Sequence, residues 1–168
     1  MSTIHTGQVR VYVGVGSNLE EPIRQVRTAM RELHTLNDTR VVKVSPLYRT
    51  PPMGPSDQPA YVNAVVKLCT RLAPVALLDA LLEIERHHGR VRNGRKWGPR
   101  TLDLDILVYG DRVIQEPRLT VPHPGIAERP FVLVPLHDIE PELEVPGVGT
   151  VSTLRQRCDV GEIHPLVG

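Results

Sequence analysis

Cysteine, aromatic residues and excess charge are all scarce in this sequence, and each scarcity argues against a class of protein. Its two cysteines, Cys69 and Cys158, are too far apart to match a disulfide framework or a zinc site, so we expect a reducing, cytoplasmic setting. A net charge of only +1 argues against a general nucleic-acid binder. One Trp, four Tyr and one Phe are too few for the aromatic sheet surface of many RNA-binding domains. No signal peptide and no apolar run of membrane-spanning length is recognised, so we expect no membrane partner.

The length and the loop-forming residues predict one domain with long loops. A chain of 168 residues suffices for a single domain, 1–168, with a hydrophobic core. Alternating valines predict a strand at 9–15 that leaves Gly14 and Gly16 bare on the opposite face. Periodicity further along predicts a strand–helix–strand–strand–helix–strand order, with later strands near 40–48, 61–68 and 101–106. Sixteen prolines and thirteen glycines indicate long ordered loops, where functional sites usually lie.

Two aspartates form the first candidate site. From Thr101 the chain alternates polar and apolar residues, so Asp103 and Asp105 should project from one face of a strand, with Cα atoms about 6.5 Å apart. Carboxylates at that spacing suit Mg²⁺, which takes one or two carboxylates and completes its octahedron with water and phosphate oxygens. The competing interpretation is a solvated strand face without a ligand.

The segment before this strand is strongly basic. Residues 86–100 contain five arginines, one lysine and two histidines but no acidic residue, and three glycines interrupt them, which predicts a loop. Arginines that lead into a carboxylate pair suit a polyphosphate, since the arginines would bind its oxygens and the carboxylates its metal. A charged surface loop remains the alternative interpretation. A metal-dependent phosphohydrolase would use the same residues.

The strand predicted at 61–68 has two unlike faces. Every second residue from Val62 is apolar and suits helix packing, whereas Tyr61 and Asn63 share the opposite face. A tyrosine ring beside an amide suits a planar heterocycle, through stacking and paired hydrogen bonds, although an exposed strand end would look the same. His123, held between two prolines, is either a phosphate donor or an ordinary loop histidine.

Several motifs in one order resemble the 6-hydroxymethyl-7,8-dihydropterin pyrophosphokinase family of folate biosynthesis. The resemblance runs from about residue 11 to residue 141, and WGPRTLDLD is its most specific part. The motifs are YRTPP (48–52), QPAYVN (58–63), GRVR (89–92), WGPRTLDLD (97–105), PH (122–123) and RPF (129–131).

This resemblance implies a fold and a reaction. The fold is α+β and ferredoxin-like, an antiparallel sheet with helices packed on one face and long functional loops. The reaction moves pyrophosphate from ATP to the hydroxymethyl oxygen of the pterin and releases AMP. The cofactors are two Mg²⁺ ions on Asp103 and Asp105, and Arg90 and Arg100 join these aspartates as catalytic residues.

The resemblance also implies two sets of binding residues. The pterin would be bound by Thr50, Pro51, Met53, Tyr61, Asn63, Trp97 and Phe131. ATP would be bound by Glu85, Arg92, Trp97, Ile106, Arg118, Thr120, His123 and Arg129. Two departures affect the ATP contacts: Asn93 replaces a lysine, and Pro124 replaces an aromatic residue, found in some members.

The partners expected on this basis are small molecules alone, ATP and the pterin. We expect a cytoplasmic monomer that binds neither nucleic acid nor membrane. Two other functions use some of the same features and are separated by simple assays. A phosphohydrolase would release phosphate or pyrophosphate without a pterin, and a non-catalytic ferredoxin-like RNA binder would shift single-stranded RNA on a gel.

Overall fold

A computed structural model describes residues 7–18, 21–51, 60–89, 102–161 and 163–166. Groups of one to three strands separate the helices along the described chain. The strands are β1 (Val9–Ser17), β2 (Thr39–Val44), β3 (Tyr48–Thr50), β4 (Tyr61–Thr70), β5 (Asp103–Tyr109), β6 (Ile114–Glu116), β7 (Leu119–Val121), β8 (Glu144–Val145), β9 (Gly149–Thr150) and β10 (His164–Pro165). The helices are α1 (Pro22–Leu33), α2 (Pro74–His87), α3 (Pro130–Ile139) and α4 (Val151–Arg157), with a 3₁₀ turn at Ile126–Glu128.

The main sheet is antiparallel, as the sequence predicted. Its strands follow the order β10-β3-β4-β1-β5, and β2 pairs with β4 beside β3. The two longest strands, β1 and β4, lie at the centre, and nine residue pairs hold them in register from Val9↔Thr70 to Ser17↔Val62. Strands β6 and β7 form the short hairpin arm that the turn residues after β5 predicted.

Proline begins each of the three longest helices in the described chain. Pro22, Pro74 and Pro130 occupy first-turn positions, where the fixed backbone angle suits a helix and the missing N–H would have no intrahelical partner. In the sequence, Pro74 before an apolar stripe predicts the start of the second helix, and the structure confirms it. It also confirms a short helix over the residues 132–139, which begins two residues earlier than the apolar run indicated.

Helices cover both faces of the sheet, so the prediction that they pack on one face is wrong. One hydrophobic cluster joins the valine face of β1 to α1 and α2, through residues such as Val13, Ala29 and Leu81. A second cluster joins the other face, around Tyr12 and Val65, to α3 and α4. The sequence analysis missed the second cluster because Tyr12 and Val65 each stand alone among polar or glycine neighbours on their face.

The single strand predicted at 40–48 is two strands in the structure. Pro46 has no N–H to continue the ladder, which explains the break between β2 and β3. Ser45 maintains the connection to β4, since its N–H donates to the Val65 carbonyl at 2.9 Å and its hydroxyl accepts from the Val65 N–H at 2.9 Å.

None of the helices in the described part of the chain has the length and hydropathy needed to cross a bilayer.

Candidate functional site

Strand register brings the predicted pterin residue and the predicted metal residues onto one face of the sheet. Asn63 on β4 pairs with Gly16 on β1, and Gly16 pairs in turn with Asp103 on β5. The next pair on that face is Gly14 with Asp105. Because directly paired residues on neighbouring strands project to the same side, Asn63, Asp103 and Asp105 share one surface. Strands are about 4.8 Å apart, so the amide and the carboxylates lie about 10 Å apart at the backbone.

The glycine at the centre of this row leaves room for the Asn63 side chain. A Cβ atom on Gly16 would lie 2.6 Å from Asn63 Oδ1, far inside van der Waals contact. Asn63 is only 9% exposed, and its Nδ2 donates to the hydroxyl oxygen of Thr50 at 2.8 Å. The amide is therefore held flat against β1 in one orientation. The sequence indicated a close approach at the bare glycines, and the structure identifies Asn63 as the group that approaches.

We predict that Gly16→Ala weakens pterin binding about tenfold or more, because the new methyl group displaces the Asn63 amide and breaks its hydrogen bond to Thr50. Gly14→Ala is the matched control. Its Cβ would meet the Leu107 side chain at an ordinary 3.5 Å, on the same strand and face. Calorimetric titration with a pterin substrate analogue tests both variants. Equal affinity in Gly16→Ala and the wild type would contradict the role given to this glycine.

Two aromatic residues stand on the same side of the sheet as Asn63. Tyr61 lies two residues before Asn63 on β4, pairs with Thr50 and is half-buried. Phe131 begins α3, the helix that covers this face, and its half-buried ring packs against the second cluster. The Arg129 guanidinium lies 5.8 Å from the centre of the Phe131 ring. The structure thus supplies two flat apolar surfaces and an amide on one side of the sheet.

Polar contacts at the far end of α3 fix this helix to the sheet. Glu140, just after the helix, accepts hydrogen bonds from Tyr12 at 2.8 Å and from Lys67, which is only 7% exposed. Burial opposes the charge of Glu140, but the bonds from Lys67 and Tyr12 outweigh it and lower the pKa of this carboxyl. Tyr48 donates to Asp138, and burial together with that carboxylate raises the pKa of Tyr48 to about 12.

The two aspartates suit a metal ion that is held mainly by its substrate. Asp103 is half-buried and Asp105 is exposed, on a face where Gly14 and Gly16 add no side chain. No cluster of three or more His, Cys, Asp or Glu side chains is found among the described residues, so the protein there offers an open pair of carboxylates, not a closed cage. Mg²⁺ fits such a donor set, because it retains water and binds phosphate oxygens readily.

Glu85 lies beside the aspartates but points at the backbone. It is 2% exposed on α2, and its Oε2 accepts from the Leu104 N–H at 2.7 Å. That N–H lies between the two aspartates on β5 and faces away from β1, at the outer edge of the strand. In an antiparallel ladder the orientation alternates, so Ile106 also directs its N–H and C=O outward. The Ile106 side chain itself is in the core, 4% exposed, so only its backbone is available to a ligand.

His123, Gly125 and Arg129 form a compact group next to the same edge. The His123 N–H donates to the Leu107 carbonyl of β5 at 2.9 Å, and the Gly125 N–H donates to His123 Nδ1 at 3.2 Å. Burial, with a smaller effect of the Arg129 charge, lowers the pKa of His123. The imidazole is therefore neutral at pH 7 with its proton on Nε2, which leaves Nε2–H as a donor. Arg129 lies so close to Gly125 that a Cβ there would meet its Nε at 2.5 Å.

The remaining predicted residues are exposed, are ion-paired elsewhere or lie outside the described ranges. Thr120 is exposed on β7 and Pro51 is exposed after β3, whereas Arg118 is ion-paired with Asp79 of α2. A ligand that binds Arg118 would have to compete with Asp79. Five predicted residues lie outside the described ranges: Met53, Arg90, Arg92, Trp97 and Arg100.

Sequence reasoning missed the residues that support the site. It assigned no chemistry to the chain from Glu140 onward, yet this carboxylate holds Lys67 and Tyr12. The signal was Lys67 itself, the only charged residue in the otherwise apolar or neutral strand β4. A lysine in a central strand requires a carboxylate partner. The sequence alone could not show that Glu140 is the partner of Lys67, because the two residues are 73 positions apart.

Comparison with known proteins identifies one family. The family model for 7,8-dihydro-6-hydroxymethylpterin-pyrophosphokinase matches residues 12–141. A 2-amino-4-hydroxy-6-hydroxymethyldihydropteridine pyrophosphokinase of Pseudomonas aeruginosa is 50% identical over 159 residues, 95% of this chain and 98% of that protein. The protein of the same name from Haemophilus influenzae is 47% identical over 146 residues, 87% of this chain and 91% of that one.

A solved structure shares the fold at low sequence identity. The crystal structure of wild-type Plasmodium falciparum HPPK-DHPS with pteroate superposes on 89% of this chain with a TM-score of 0.71 and 14% identity. The present chain spans 44% of that longer protein, so this likeness concerns one part of it and supports the α+β fold alone.

Proposed function

Since the chain belongs to the 7,8-dihydro-6-hydroxymethylpterin-pyrophosphokinase family, we infer that it is an enzyme of folate synthesis that transfers pyrophosphate to hydroxymethyldihydropterin. The family that the sequence motifs predicted is therefore confirmed by the match over residues 12–141. The finer parts of the proposal are the site residues, the two Mg²⁺ ions and AMP as product.

One observation carries the assignment of the site: the row Asn63–Gly16–Asp103 across three adjacent strands. It sets a heterocycle-binding amide and a metal-binding carboxylate on one surface, at a separation that a pterin and a phosphate chain can bridge. Tyr61 and Phe131 would stack on the ring, Asn63 would hydrogen-bond its edge, and Thr50 holds the amide in place. Pro51 and Met53 would add contacts on the same side.

Asp103 and Asp105 would hold the two Mg²⁺ ions. When bound, such ions neutralise phosphate charge and polarise the phosphoryl group that is transferred. The two carboxylates keep their separation because they are alternate residues of one strand, and Glu85 fixes the backbone between them through Leu104. The hydroxymethyl oxygen would attack the β-phosphorus of ATP, and charge would then build on the oxygen between the α and β phosphates as AMP departs.

The outer edge of β5 would bind the nucleotide. The outward backbone groups of Ile106 offer a donor and an acceptor to adenine, and Thr120 lies on the neighbouring hairpin. His123, through Nε2–H, and Arg129 would donate to phosphate oxygens. Arg90, Arg92, Arg100 and Trp97 would complete the phosphate side from the segment between α2 and β5. Arg118 would bind ATP only if its ion pair with Asp79 were broken.

We also propose the finer description of the fold and the setting. Taken as β1-α1-β2-β4-α2-β5, the core has the β-α-β-β-α-β order of ferredoxin-like proteins, with both of its helices on the valine face. The helices α3 and α4 would then be additions on the other face. We further propose a single-domain cytoplasmic monomer that acts on small molecules, without nucleic acid or membrane; the free thiols of Cys69 and Cys158 support the reducing, cytoplasmic setting.

The decisive test is AMP formation from ATP, Mg²⁺ and hydroxymethyldihydropterin. We expect AMP to appear only when the pterin is present, together with an equal amount of pterin diphosphate. A metal-dependent phosphohydrolase would instead release phosphate or pyrophosphate from ATP alone. AMP or phosphate production that is independent of the pterin would contradict the proposal.

We predict that Tyr61→Ala and Phe131→Ala each weaken pterin binding about tenfold, because stacking is worth roughly 1 kcal/mol beyond the apolar area that the ring buries. ATP affinity should change less, most clearly in Tyr61→Ala, because the Phe131 ring also lies beside the Arg129 guanidinium of the proposed ATP site. Calorimetric titration with each ligand separates the two effects. Tyr109→Phe is a useful control, because it removes a tyrosine hydroxyl that donates to the Leu72 carbonyl, away from the candidate site, and retains the ring. A larger loss of ATP affinity than of pterin affinity would refute the stacking assignment.

A further inference from the structure

Four arginines surround a groove on the face of the sheet opposite the candidate site. The groove has a volume of about 620 Å³ and lies between α1 and the edge formed by β3 and β4. We call it the arginine groove. Its lining includes Arg24, Arg27, Arg31, Arg49, Glu21, Ile23, Ala60 and Val62.

The arginines approach one groove from two elements. Arg24, Arg27 and Arg31 are spaced by three and four residues on α1, which sets them on one side of that helix. Arg49 lies on β3 and pairs with Val62, so it shares the face of the core valine and not that of Thr50. All four side chains are exposed. Among the described residues that line the groove, Glu21 is the sole acid, and it is paired with Arg24 at 3.4 Å.

Helix stability does not explain this arrangement. Like charges three or four residues apart on a helix repel each other, and here they occur twice in succession. Arg24 also lies in the first turn, where the partial positive charge of the helix end disfavours a cation, and this turn contains no acidic residue. A bound anion would relieve the repulsion between the arginines, because it would neutralise their guanidinium groups.

The groove also has an apolar part. Ile23 is 36% exposed at the end of the apolar stripe of α1 that includes Val26, and Ala60 and Val62 also line the groove. Phosphates alone would need only the guanidinium groups. The combination suits a molecule with a phosphate chain at one end and a flat or apolar group at the other. The volume is within the range of small-molecule sites.

We propose that the arginine groove binds a small organic molecule that carries two or more phosphate groups. The phosphates bind Arg27, Arg31 and Arg49, and the organic part rests on Ile23 and Ala60. This site is separate from the candidate catalytic site, because Arg49 and Val62 project from the opposite face to Thr50, Tyr61 and Asn63. The proposal does not depend on the reaction assigned to that other face.

The test is a nuclear magnetic resonance titration of the ¹⁵N-labelled full chain with two probes, tripolyphosphate and adenosine diphosphate, at 0.15 M salt without Mg²⁺. Backbone amides of Ile23, Arg27 and Arg49 report on the groove, and those of Gly14 and Gly16 report on the catalytic face. We expect saturable shifts at the groove amides with both probes and tighter binding of the nucleotide, whose organic part can contact Ile23.

Charge-removing variants supply the second arm of the test. Arg27→Gln combined with Arg49→Gln should weaken binding at the groove tenfold or more, since each loses charge-assisted hydrogen bonds to phosphate. The matched control, Arg40→Gln combined with Arg71→Gln, removes the same charge from exposed positions away from the groove. Both variants should unfold at the wild-type temperature, as all four side chains are exposed.

Three outcomes would overturn the proposal. Shifts confined to Gly14 and Gly16 would show that the probes bind only the catalytic face. Equal weakening in the groove and control variants would indicate a diffuse effect of net charge. Tighter, groove-dependent binding of a single-stranded RNA oligomer than of adenosine diphosphate would replace the small molecule with a nucleic acid.

Discussion

Asp103→Ala and Asp105→Ala are each expected to lower pterin-dependent AMP formation by about 10³-fold or more, since loss of a metal-binding carboxylate removes several kcal/mol of charge stabilisation in the transition state. The two residues project from one face of β5, next to glycines that add no other donor. Pterin binding should persist, because Asn63, Thr50 and the aromatic residues lie on other elements.

The control for this experiment is Asp111→Ala. Asp111 is exposed in the turn after β5, so its removal takes away one carboxylate from the same segment without touching the paired face. Rates should be compared over a range of Mg²⁺ concentrations, and pterin affinity should be measured by calorimetry. Near-wild-type turnover of either variant at ordinary Mg²⁺ would refute the assignment of these carboxylates as metal ligands.

Arg90→Ala and Arg100→Ala are expected to slow the chemical step by about 10³-fold while affinity for either substrate changes little, because an arginine aimed at a transferring phosphoryl group acts mainly in the transition state. Both lie in the acid-free basic segment that joins the end of α2 to the first aspartate of β5. Lysine replacements should recover only part of the rate, since a single ammonium group cannot reproduce the two-pronged guanidinium contact.

Single-turnover kinetics at saturating ATP separates chemistry from binding in these variants. Arg86→Ala is the matched control, because Arg86 belongs to the same basic run but pairs with Glu83 on the exposed side of α2. If the arginines only attract ATP, the variants will show a raised dissociation constant and a wild-type chemical rate. That result would limit the segment to a binding role.

Local periodicity was sufficient to predict the faces of the strands. Alternation along β4 set Tyr61 and Asn63 on one side, and alternation along β5 set Asp103 and Asp105 on one side, as the structure confirms. These predictions depend only on the two-residue period of a strand. The same period did not reveal which strands are neighbours. The row that joins Asn63 to Asp103 through Gly16 depends on pairings between residues far apart in the chain.

The error about the helices has a different cause. The valine face of β1 gave a strong signal for helix packing, whereas the opposite face combines glycines, a tyrosine and the lysine of β4. Part of that face is covered by α3 and another part carries the candidate site, so apolar and polar residues are mixed along its strands. Buried polar links such as Lys67 to Glu140 made the covered half look exposed from sequence alone.

The attachment of α3 has a consequence for the shape of the ligands that this enzyme accepts. Phe131 stands at one end of a ten-residue helix whose other end is fastened through Asp138 and Glu140. The Phe131 ring is thus already held in position, so a flat bicyclic ring could bind without the entropic cost of ordering the helix. A thicker inhibitor would have to push the helix outward and separate buried ionic partners from each other. If Phe131 stacks on the pterin as proposed, selectivity for planar molecules would depend partly on Lys67, Tyr12 and Glu140 at the other end of α3.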